Sequence, residues 1–140
     1  MKKEYLIKIK GEQTVGQEVD MVELTTVGSF FKRNNCYYIT YLESEATGFD
    51  GAKTVLRVDT RKGVVTMKRM GSSNSQLIIE EGRRHQCNYD TGYGNLIIGV
   101  SGNKIVSSLT DSGGDVTFAY SLDINTMLTS ENKVHISVCQ

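Results

Sequence analysis

The chain has 140 residues, no proline, and sixteen basic side chains against sixteen acidic ones, for a formal net charge of zero. A single domain of this size, 1–140, takes roughly 68–70% of its unfolded surface out of water, so it needs neither disulfide nor metal to fold. The charge balance excludes the basic surplus that a nonspecific nucleic-acid binder requires, and it gives little colloidal repulsion against a homodimer.

In chain order, Met1-Lys2-Lys3-Glu4 starts basic, but the apolar run Tyr5-Leu6-Ile7 stops at Lys8. That is short of the ~7–15 residues of a secretory core, and no run nears the ~18 apolar residues of a membrane span. A cytoplasmic protein with no membrane partner is expected. From Tyr5 to Val138 apolar and polar side chains alternate with period two, the pattern of strands with one wet and one dry face. The spacing predicts strands over 4–10 and 18–32, joined by a loop at 11–17. Arg33-Asn34-Asn35-Cys36 is a hairpin turn, since asparagine tolerates positive φ. Strands 36–45, 53–60, 64–70, 75–81 and 84–91 follow, separated by glycine- and asparagine-rich turns. Gly92-Tyr93-Gly94 leads into 95–101, Gly102-Asn103 turns into 104–110, and 115–122 and 134–139 end the set. The stretch 123–133 leaves room for one short helical turn. Eight to ten antiparallel strands with short connections predict an all-β up-and-down barrel or a sandwich, because a sheet of that size has to hide its edges.

Ile39, Tyr41, Leu56, Val58, Val65, Met67, Leu77, Ile79, Val116, Phe118, Tyr120, Leu122, Val134, Ile136 and Val138 share the dry faces and are expected to point inward. Cys36, Cys87 and Cys139 are odd in number and far apart, which favours three free thiols. His85 and Cys87, two residues apart on one face, are the nearest approach to a metal pair, and four ligands are wanted, so no metal or other cofactor is expected. Gly48-Phe49-Asp50-Gly51-Ala52-Lys53 lacks the glycine-lysine pair and the helix of a phosphate loop. Glu43 and Glu45 share a strand face, with Glu45 read as a solvated strand end. No nucleophile stands beside a base, so no enzyme is expected.

The segments Tyr38-Ile39-Thr40-Tyr41-Leu42-Glu43, Val65-Thr66-Met67-Lys68-Arg69-Met70-Gly71, Tyr89-Asp90-Thr91-Gly92-Tyr93-Gly94, Val116-Thr117-Phe118-Ala119-Tyr120-Ser121-Leu122 and Asn132-Lys133-Val134-His135-Ile136 together resemble the YwiB-like family of small bacterial proteins. The resemblance implies an antiparallel calycin-like (lipocalin-like) up-and-down barrel, in a family catalogued as a domain of unknown function, and it implies no activity. Family members often carry proline after the threonine of Tyr-x-Thr; Gly92 stands there in this chain.

Strand direction in a meander brings five polar residues to one barrel end. Glu43, Arg69, Tyr89 and Thr91 lie late in strands running one way, and Thr54 lies early in one running back. Glu43 and Arg69 are therefore expected at the barrel mouth as a charged pair, with Thr54, Tyr89 and Thr91 around them, acting as a structural plug or as an anchor for a ligand head group. The leading functional expectation is a barrel that takes a small molecule in its interior. The alternative is an interaction or structural protein that uses a strand edge or dimer face and binds no ligand.

Overall fold

Ten strands make up the fold: β1 (Tyr5–Val15), β2 (Glu18–Arg33), β3 (Cys36–Leu42), β4 (Lys53–Asp59), β5 (Val64–Met70), β6 (Ser75–Glu80), β7 (Arg84–Asp90), β8 (Asn95–Ser107), β9 (Gly114–Ile124) and β10 (Met127–Cys139). The structure is a computed structural model and describes residues 4–44, 51–71, 74–90 and 94–140. Each strand pairs antiparallel with its chain neighbour, and β10 pairs with β1, which closes the barrel. Among the described residues no helix is long and apolar enough to cross a membrane.

The period-two reading places the core. Ile39, Leu56, Val58, Val65, Ile79, Val116, Phe118 and Ile136 have no exposed surface, and burial of each is worth about 1.5–3 kcal/mol. Tyr41, Met67, Leu77, Tyr120 and Val138 are buried too, while Leu122 and Val134 are only partly covered. Tyr5, Ile7, Ile9 and Phe30 join this core from β1 and β2, with the Tyr5 and Phe30 rings meeting edge-on at 5.4 Å.

Three expectations need correction. β1 does not stop at residue 10: it runs through Gly11 to Val15 and turns at Gly16, whose φ is 62°, so there is no 11–17 loop. The stretch 123–133 holds no helical turn. It is the β9–β10 hairpin, with Asn125 and Thr126 at φ of 53° and 66° forming the same left-handed pair as Asn34 and Asn35. The expected strands 95–101 and 104–110 are one strand, β8, which ends at Ser107 and whose register against β9 shifts between Gly102 and Ile105. A bulge there lets β8 approach the end of β6; a Cβ on Gly102 would stand 2.1 Å from the Glu80 carbonyl oxygen.

The wall is uneven. β3 to β7 are six or seven residues long, whereas β1, β2, β8, β9 and β10 have eleven to sixteen. β2 pairs with β3 only from Ser29 to Arg33, so its first part rises beyond the short strands together with β1 and β10. The result is a mouth with one high lip. β6 and β7 meet loosely, with Ser75↔Tyr89 as their one registered pair among the described residues. Along that seam the Ile78 amide donates to Cys87 Sγ at 3.4 Å, and His85 Nε2 lies 2.9 Å from Glu80 Oε1.

Candidate functional site

Sheet register builds a single row at the mouth. Tyr41 is opposite Thr54, Thr54 opposite Arg69, Arg69 opposite Ser75, and Ser75 opposite Tyr89, across β3 to β7 in turn. Glu43 is two residues beyond Tyr41, on the same face, and its amide donates to the Ala52 carbonyl at 2.8 Å. That bond extends the β3–β4 ladder past the last strand residue and so fixes where the Glu43 side chain enters.

Glu43 is inside the barrel, with its side chain 1% exposed. Oε1 accepts a hydrogen bond from Thr54 Oγ1 at 2.6 Å and one from Arg69 Nη2 at 3.4 Å. Oε2 is buried and has no hydrogen-bond partner among the described residues. Thr54 is fully buried, and Arg69 keeps 16% of its side chain exposed, with Nη2 also 3.9 Å from Met67 Sδ. Burial first, then the Glu43 carboxylate, pushes the pKa of the Tyr41 hydroxyl far above the ordinary phenol value. Burial pushes Tyr120 up to about 12. Both tyrosines are therefore neutral at any physiological pH.

These groups border a cavity of about 240 Å³ at the mouth. Ile9, Val22, Met67 and Leu77 give it an apolar wall, and Glu43, Arg69, Tyr41, Tyr89 and Tyr120 also line it. Of the five expected polar residues, Glu43, Thr54, Arg69 and Tyr89 assemble here, and Thr91 lies outside the described residues, as do Glu45, residues 48–50 and Gly92. Tyr41 and Tyr120, which alternation places in the core, also border the cavity; the signal for Tyr41 is its place two residues before Glu43. Leu122 and Val134 line the cavity as well, which explains why they are less covered than the rest of the inward set.

Other reactive groups lie elsewhere. His85 is engaged with Glu80 and Cys87 with the Ile78 amide, so the two do not converge on one point. Among the described residues no three His, Cys, Asp or Glu side chains group as metal ligands. Cys36 and Cys87 are buried free thiols and Cys139 is an exposed one. On the outer wall Ser137 donates to Asp115 Oδ1, and His135 Nε2 lies 3.1 Å from the same oxygen. A serine nucleophile needs the histidine between it and the acid; here His135 turns one nitrogen, Nε2, to both Asp115 Oδ1 at 3.1 Å and Ser137 Oγ at 3.5 Å, in the open, which is not the arrangement of a triad.

Comparisons with known proteins agree with this architecture. The family model described as Domain of unknown function (DUF1934) matches residues 7–136. A curated relative, the "Uncharacterized beta-barrel protein YwiB" of Bacillus subtilis (strain 168), is 25% identical over 105 residues, covering 75% of this chain and 71% of its own. The crystal structure of the ywiB protein from Bacillus subtilis superposes with a TM-score of 0.84 at 20% identity, over 98% of this chain and 91% of that one. At that identity the superposition speaks for the fold alone.

Proposed function

Because the chain belongs to the family described as Domain of unknown function (DUF1934), its role has to come from geometry, and we propose that it binds one small molecule in the mouth cavity without catalysing a reaction. The observation that carries this reading is the cavity of about 240 Å³ with a buried carboxylate oxygen, Glu43 Oε2, left without a donor among the described residues. Concave sites with an apolar wall and a few fixed polar groups are the usual form of ligand pockets. The cavity exceeds the ~150 Å³ that admits a benzene molecule and falls short of the ~300 Å³ where drug-sized sites begin, so its occupant is small. A barrel open at one end is how calycin-like proteins hold ligands, and the likeness supports the reading by analogy only. His85 and His135 both lie away from the cavity, so neither supplies an acid or base to a molecule held there. Free thiols at Cys36, Cys87 and Cys139 favour a reducing cytoplasm.

Native mass spectrometry of protein purified from its own host tests the reading. The expected result is a retained small mass that is missing from Leu122→Trp, whose indole takes up the cavity. A bare polypeptide mass in both proteins overturns it.

A second reading has its own observation. Residues 18–28 of β2 lie beyond the pairing with β3, and Val19, Met21 and Val27 on that stretch are exposed. A strand edge that is unpaired among the described residues and carries apolar side chains is suited to pairing with another chain, including a second copy in a homodimer. Light scattering after size exclusion separates the readings: a monomer at high concentration removes this one.

A further inference from the structure

We propose that the occupant of the mouth cavity is a small organic ammonium ion on an apolar body, with its N–H groups donated to Glu43 Oε2. The inference rests on the ligand-binding reading above and adds the chemical class of the ligand.

Four observations converge on a cation. The Glu43 side chain is 1% exposed; Thr54 at 2.6 Å and Arg69 at a long 3.4 Å serve Oε1, the Tyr41 hydroxyl interacts with the same carboxylate, and Oε2 has no partner within hydrogen-bond geometry among the described residues. A carboxylate oxygen out of water without a donor is costly, and a charged N–H donor compensates both the missing bond and the charge. Tyr41, Tyr89 and Tyr120 border the same space, and the faces of aromatic rings attract ammonium groups within ~6 Å. Both Tyr41 and Tyr120 stay protonated, so what they offer a ligand is a neutral ring and hydroxyl. Among the described residues the lining carries three carboxylates, Glu12, Asp20 and Glu43, against two cations, Arg69 and Lys133, a balance that tilts towards positive ligands. The apolar wall of Ile9, Val22, Met67 and Leu77 accounts for the rest of the volume, with room for a phenyl-sized body. An anionic head group meets the opposite situation. It would face the fixed Glu43 carboxylate, with Arg69 already drawn to that carboxylate's other oxygen.

Three probes with one body and different heads test the class: benzylamine, benzyl alcohol and benzoate, titrated at pH 7 and followed by amide chemical shifts of the cavity-lining residues. An alkylamine stays protonated at this pH, as a lysine does. The expected result is binding of benzylammonium about tenfold tighter than benzyl alcohol, with no binding of benzoate, and loss of that preference in Glu43→Gln. If Glu43→Gln fails to unfold cooperatively, the double variant Glu43→Gln/Arg69→Met strands neither charge and serves in its place. Tighter binding of benzoate overturns the inference and makes Arg69 the anchor, while leaving a ligand-binding cavity. Equal binding of all three probes, unchanged in Glu43→Gln, overturns it in the same way. No shift at the cavity with any probe overturns both the inference and the reading beneath it, with water as the partner of Oε2.

Discussion

Thr54 Oγ1 gives its hydrogen to Glu43 Oε1 at 2.6 Å, between two side chains that the barrel almost completely encloses. Thr54 is opposite Tyr41 in the β3–β4 register, so the hydroxyl reaches Glu43 from the neighbouring strand, one step along the same inner face. Hydrogen bonds to charged groups contribute about 1.5–3 kcal/mol. Thr54→Val, which keeps the shape and removes the donor, is expected to lower stability by about that amount in urea unfolding, with an unchanged slope. A loss under about 0.5 kcal/mol contradicts a charged, enclosed Glu43.

Arg69 is the other partner of that oxygen, with 16% of its side chain exposed against 1% for Glu43. Arg69→Met leaves the carboxylate behind in the barrel without its cation. The expected loss is about 3–5 kcal/mol, the range for stranding one member of a buried pair. A structural plug loses only stability in this variant. A ligand anchor shows a changed retained mass as well, so unfolding and native mass spectrometry on the same sample tell the two roles apart.

Asp59, Asp115 and Asp123 all have pKa values below the usual carboxylate range, and the last two do so through side-chain partners. Hydrogen bonds from Ser137 and then from His135 hold Asp115 below the usual carboxylate range, and the fork of Arg84, with Nε at 2.9 Å and Nη2 at 2.7 Å, does the same for Asp123. A folded pKa below the unfolded value of ~3.9 means that the unfolded chain takes up protons first. The stability from these pairs is therefore present above about pH 4 and is lost as the pH falls through the folded values. Carboxyl NMR titration is expected to show Asp115 and Asp123 with depressed midpoints, and Arg84→Gln to return Asp123 alone towards ~3.9. The Arg84 fork crosses β8 at Gly99, where a Cβ would meet Nη2 at 2.3 Å and Asp123 Oδ1 at 2.5 Å. Gly99→Ala is expected to raise the Asp123 midpoint too.

Thr126 sits at φ of 66°, a left-handed conformation that a β-branched residue adopts only under constraint. Its amide donates to Asp123 Oδ1 at 3.2 Å, which helps to hold the turn. Thr126→Gly keeps that bond and removes the strain, so a gain of about 1 kcal/mol is expected in thermal or urea unfolding. Destabilisation contradicts a strained turn at Asn125-Thr126.

The barrel and the polar row were legible in the sequence for the same reason. Wherever a strand has one dry face, as at Ile39/Tyr41 or Val65/Met67, period two fixes which side chains point inward, and a meander fixes which of them share an end. Glu43, Thr54, Arg69 and Tyr89 follow from those two rules without any motif. What was not legible has physical causes. The β1–β2 arm beyond Gly11 stands above the core with both faces largely wet, so alternation has nothing to report there. Gly102-Asn103 carries the residues of a turn but serves a bulge, because the end of β6 presses on β8 at that point. Leu122 and Val134 have the right face and the wrong burial, since period two cannot distinguish a packed interior from a cavity wall.

Whether a ligand rests against Glu43 in the mouth cavity is open to direct observation. A crystal structure of the protein purified from its own host, without added ligand, tests it most directly. Continuous density too large for water is expected in the cavity, with an atom at about 3 Å from Glu43 Oε2. Ordered water alone at that oxygen, or a side chain of the protein itself filling the cavity, contradicts it.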